Sequence, residues 1–83
     1  MTHEKFIEIL RKYEDVLEQQ QMEGGTNPHL DHCLEKMIPE MREFHWDKQS
    51  DKAMRWLGFI QGVLYAHNVF TIDEMKEHNR REA

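Results

Sequence analysis

His29, His32 and Cys33 are the residues whose types and spacing come nearest to a reactive set. Steps of three and four put all three on one face of a helix. Imidazole and thiolate are the usual ligands of zinc, and three ligands with an open fourth position describe a catalytic zinc site. Two observations argue against that chemistry. Cys33 also falls on an apolar run, and no His-Glu-x-x-His motif accompanies the set. The expectation is no metal and no cofactor, with the histidines capping or facing water and the thiol packed.

Two further places could hold a ligand rather than transform one. Tyr13 is the one residue with a polar tip on the apolar stripe of the first helix. It is either a core-edge tyrosine or a stacking platform for a base. The run Gly24-Gly25-Thr26-Asn27-Pro28-His29 combines glycine backbone, hydroxyl and amide side chains and a helix N-terminus. Free N–H groups at such an end attract anions. Capping of the next helix by Asn27, with Pro28 in its first position, accounts for the same residues. No Ser-His-Asp set, no Gly-Lys-Ser/Thr phosphate loop and no dinucleotide fingerprint is present. The expectation is a protein that works by binding and is not an enzyme.

Composition narrows the partners. The 83 residues make one small domain, and the single cysteine excludes an internal disulfide. A core of this size is marginal alone, so self-association is expected, with two Trp, four Phe and six Met supplying apolar surface. Net charge is −5, with the basic residues scattered apart from Arg80-Arg81. That argues against DNA or RNA, which want a clustered basic face. No basic-then-apolar leader opens the chain, and the longest apolar run is too short to span a bilayer. A cytoplasmic protein with no membrane contact is expected.

The elements that must position these groups are all helical. The first helix is expected from about Thr2 to Glu23, with Phe6, Ile9, Leu10, Tyr13, Val16, Leu17 and Gln20 on one face and mixed charge opposite. Gly24-Gly25 ends it, and the second helix turns back from Pro28 to about Phe44. Its buried stripe is Leu30, Cys33, Leu34, Met37, Ile38, Met41 and Phe44. Pro39 either kinks this helix or ends it near Ile38, and a kink fits the continuing apolar spacing. Residues 45–51 read as a polar connection with Trp46 as a lid and Asp47 or Ser50 as the next cap. The third helix carries Ala53, Leu57, Ile60, Leu64 and His67 on its core face, widened by Trp56, Phe59 and Val63. Gly58, Gly62 and Ala66 form a second stripe with almost no side chain, where another backbone or a flat ligand would approach closely. A large side chain at Gly62 is expected to disrupt that packing. Asn68 suits a left-handed C-terminal position. Thr71-Ile72-Asp73-Glu74 is a capping box with Phe70 and Met75 as a staple, opening a short last helix. Arg80 to Ala83 should fray. The fold class is all-α: an antiparallel hairpin or small bundle of three main helices plus a short C-terminal one.

Two stretches carry a resemblance. Asn27-Pro28-His29-Leu30 is one, and Asp51-Lys52-Ala53-Met54-Arg55-Trp56-Leu57-Gly58-Phe59-Ile60-Gln61-Gly62-Val63-Leu64, followed by Phe70-Thr71-Ile72-Asp73-Glu74, is the other. The pattern resembles small phage-encoded proteins, some of them similar to the helical-hairpin family of anti-CBASS sponges. The resemblance covers roughly residues 27–74. It implies a helical homo-oligomer in the cytoplasm of an infected bacterium. It further implies a partner, a cyclic di- or trinucleotide second messenger, sequestered without cleavage. Such sponges stack bases on an aromatic ring and hold phosphates with loop lysine and threonine. Tyr13 then stands as the stacking residue and Thr26 as the loop threonine. The loop lysine has no counterpart, since Gly24 and Gly25 stand there. With a net charge of −5, the anion also requires local cations, from Arg11, Lys12, Arg55 or His29. The ligand-binding set expected is Tyr13, Thr26, Asn27, His29 and Arg55. The alternative is a small acidic phage protein that binds and inhibits a host protein through an acidic or apolar patch.

Overall fold

The computed structural model describes residues 1–24, 27–69 and 72–78. They form four helices, with no strand among the described residues. Helix α1 spans His3–Gly24. The Thr2 hydroxyl accepts the Lys5 N–H at 3.1 Å, the cap expected of it. Phe6, Ile9, Leu10, Tyr13 and Leu17 are buried, so the apolar stripe faces inward as its period dictates.

Helix α2 covers 28–42 as three joined segments: α-helical Pro28–His32, π-helical Cys33–Met37 and α-helical Ile38–Arg42. The π turn is how the chain accommodates Pro39. Proline has no N–H to give and its ring crowds the carbonyl four residues back. Just ahead of it, the Ile38 N–H reaches the Cys33 carbonyl, a five-residue step that widens the ladder. The helix therefore passes Pro39 and ends at Arg42, two residues before the expected Phe44, which is nonetheless buried. Glu14 pairs with Arg42 at 2.8 Å, and Gln21 donates to Asp31 at 2.7 Å.

Helix α3 spans Trp46–Ala66, so most of the expected polar connection is its first turn. Neither Asp47 nor Ser50 caps it. Instead Gln49 Oε1 accepts the His45 N–H at 2.7 Å, and Gln49 itself leaves helical geometry at φ −124°. Trp46 stacks on His3 at 5.4 Å and leans on Phe6 at 5.1 Å, a lid over the core edge. The far end closes through Asn68 at φ +60°. Asn68 N–H bonds Tyr65 and Val69 N–H bonds Leu64, the paired bonds of a Schellman stop. Helix α4 is Ile72–His78. The loop glycine Gly25, Thr26, the Phe70–Thr71 staple and cap, and the expected fraying tail at 79–83 lie outside the described residues.

The core collects Leu30, Cys33, Ile38, Met41, Ala53, Leu57, Ile60 and Leu64 with the α1 stripe. Three assignments on α3 are corrected. Phe59 is 57% exposed and does not widen the core face. His67 is exposed, because at the C-cap the chain has already turned off the helix axis. The Gly58-Gly62-Ala66 stripe faces solvent: a Cβ added at either glycine would meet nothing within 4 Å. Exposed helical glycine costs about 1 kcal/mol relative to alanine. Gly62→Leu is therefore expected to leave the melting temperature of the single chain unchanged or raised, the reverse of disrupted packing. A denaturant titration showing a loss beyond about 1 kcal/mol would contradict the solvent-facing assignment.

Candidate binding site

Asn27 builds the corner where α2 begins and α3 ends. Its Oδ1 accepts the N–H groups of His29 at 3.0 Å and Leu30 at 3.3 Å, so the cap fixes which way the amide points. The amide nitrogen is then directed to His67 Nδ1 at 3.2 Å. An amide N–H only donates, so Nδ1 accepts and Nε2 is the donor of the neutral His67 ring. The His29 and His67 rings lie 6.0 Å apart at 33°. Asn27→Ala should remove both the cap and this tie, costing about 1 kcal/mol in a denaturant titration. Unchanged unfolding would show that the corner does not hold α2.

Beside the two histidines runs a shallow depression of about 610 Å³ lined by Phe59, Gly62, Val63 and Ala66. That volume lies within the range of small-molecule clefts, about 300–1,000 Å³. Gly62, with no side chain, and Ala66, with only a methyl group, leave its floor low beside the ring of Phe59. His29 and His67 also line it. The arrangement suits a flat ring with polar edges.

The expected ligand residues separate on folding. Asn27 and His29 come together at this corner. Arg55 is exposed on α3, but twelve residues before His67. At about 1.5 Å per residue, that places it roughly 18 Å along the helix from His67 but only one turn, roughly 6 Å, from Phe59. Thr26 lies outside the described residues. Tyr13 is fully buried and cannot stack on a ligand. Its hydroxyl accepts from Gln61 Nε2 at 3.0 Å and meets His78 Nδ1 at 2.7 Å. Burial raises the Tyr13 pKa, and the Gln61 hydrogen bond partly offsets it. Burial also lowers that of His78, aided by Lys12 and Lys5 and opposed by Glu74 and Glu77. Arg11 lines a separate hollow with Glu14, Asp15 and Arg42.

Cys33 is fully buried, and burial pushes its thiol up to about 11. A thiol held protonated in an apolar core is inert as a nucleophile. His29 and His32, in the α-helical segment just before Cys33, are exposed. Sequence reasoning missed Phe59, His67, Gln61 and His78. The signal for Phe59 was available: it lies nearly opposite Leu57 and Leu64 on the helix, on the side of the glycines. No helix among the described residues is long and apolar enough to cross a membrane. Compared with known proteins, the chain matches no family model, no curated protein and no solved structure.

Proposed function

We propose that this chain is a non-catalytic binding protein of a phage, an antiparallel α1–α2 hairpin braced by α3, that sequesters a cyclic di- or trinucleotide in the cytoplasm of an infected bacterium. The flat strip of Gly62, Val63 and Ala66 between Phe59 and the His29–His67 pair carries this reading. A base lies on the strip against Phe59. The histidine N–H groups and Asn27 face its edges or the phosphates. Phe59 takes the stacking role that the resemblance gave to Tyr13. The site sits on the least acidic long helix: α3 carries Lys48, Lys52 and Arg55 against Asp47 and Asp51. An anion approaching this side meets less repulsion than the net charge of −5 implies.

A thermal-shift panel of cyclic di- and trinucleotides tests it. One of them should raise the melting temperature by several degrees. Phe59→Ala should weaken that nucleotide by about 1–3 kcal/mol, roughly 5- to 150-fold, the usual worth of stacking on an aromatic ring. The unliganded melt should hardly move, since Phe59 is outside the core. No shift with any nucleotide would remove this reading in favour of an inhibitor of a host protein.

A further inference from the structure

We propose that the outward face of α3 is covered by a second copy of this chain, packed antiparallel about Gly58 and Gly62. Four large apolar side chains are exposed among the described residues, and three of them, Met54, Phe59 and Tyr65, lie on α3. Gly58 and Gly62 sit among them with open space above each. Nothing among the described residues uses the close approach that two glycines one turn apart permit.

The face is complementary to itself in one direction only. A twofold axis between Gly58 and Gly62 sets each residue opposite the one whose number completes the same sum. Gly58 then meets Gly62. Arg55 meets the ring of Tyr65, a cation over an aromatic face. Met54 meets Ala66, large against small. A parallel arrangement would instead set Arg55 against Arg55, a like-charge contact. Electrostatics also selects this face over the others. Two copies of net charge −5 repel, and α1 alone carries six acidic against three basic residues. Helix α3 has a net charge of +1, counting Lys48, Lys52 and Arg55 against Asp47 and Asp51. The contact is of modest size. Helix α3 has 21 residues, about 31 Å in length, and a strip about 10 Å wide covers less than the roughly 800 Å² per partner of a standard interface. The dimer should therefore dissociate on dilution. In this register the second copy's Gly58 and Met54 lie on Gly62 and Ala66, which also line the groove given above to a nucleotide, so dimer and nucleotide compete for this face. The self-association does not rest on that reading.

The test is sedimentation over a range of concentrations without any nucleotide, so it stands apart from the ligand panel. The intact chain should pass from monomer to dimer as concentration rises. Gly62→Leu should dimerise at least about tenfold more weakly, while its melting temperature at low concentration does not fall. Gly58→Cys mixed with Gly62→Cys should form an intermolecular disulfide faster than either variant alone, with the buried Cys33 taking no part. A chain that stays monomeric throughout overturns the proposal. So does a Gly62→Leu dimer as tight as that of the intact chain. Faster cross-linking of Gly58→Cys with itself overturns the antiparallel register.

Discussion

Tyr13→Ala is expected to destabilise the domain by about 3–5 kcal/mol, the usual cost of emptying a buried aromatic site. Tyr13 is among the largest fully buried side chains, set in the same cluster as Phe6, Leu10, Leu17 and Leu57. Small domains hold roughly 5–15 kcal/mol in all, so this variant should be largely unfolded at modest temperature. Tyr13→Phe separates the two parts of the effect. It keeps the ring and removes the hydroxyl that joins Gln61 of α3 to His78 of α4. Its loss should be about 1–3 kcal/mol, the range for breaking a buried polar link. Thermal unfolding followed by circular dichroism reads both. A Tyr13→Ala chain that melts like the intact one but loses nucleotide binding would return Tyr13 to the ligand site and contradict the burial.

Acid should loosen the attachment of α4. With Gln61 donating to the Tyr13 oxygen, the Tyr13 proton can be given to His78 Nδ1, which accepts only while the ring is neutral. Burial holds the His78 pKa below its ordinary 6.5, with Lys12 and Lys5 on α1 acting in the same direction and Glu74 and Glu77 on α4 acting against it. The unfolded chain therefore takes up this proton at higher pH than the folded one. The contribution of neutral His78 is complete above 6.5 and is lost as pH falls from there through the folded pKa. His78→Asn keeps an acceptor near the Nδ1 position and cannot titrate. The readout is the difference in stability between the two chains against pH. It should be constant above about 6.5 and shift against the intact chain below it. Parallel curves across that range would remove His78 from the acid response. Amide exchange at 72–78 should rise with acid in the intact chain more than in the variant.

The helices themselves were legible in the chain. Apolar side chains at three- and four-residue steps assign α1, α2 and the core face of α3, because a helix that repeats every 3.6 residues has only one stripe to bury. The caps were legible for a similar reason. Thr2, Asn27 with Pro28, and Asn68 act within a few residues of their own position, so local chemistry decides them. At Gln49 and at Pro39 the local rules were insufficient. The chain met each with an irregular turn, a non-helical φ at one and a π turn at the other, where several local solutions compete.

What surrounds a residue depended on the tertiary structure. Period alone says that Tyr13 and the glycine stripe lie on defined faces, not which neighbours those faces meet. Tyr13 is enclosed because α3 and α4 bring Gln61 and His78 from 48 and 65 residues away to satisfy its hydroxyl. Gly58 and Gly62 face water because Leu57, Ile60 and Leu64 turn the opposite side of α3 inward. His29 and His67 meet because the Asn27 cap and the Asn68 stop end two helices at one corner. The sequence by itself determined the all-α class, the starts of α1 and α2, the stop of α3 and most of the buried set, since these follow from contacts near in the chain. The tertiary structure decided the site. It took Tyr13 out and put Phe59 and His67 beside His29, because a site is made by residues far apart in the chain.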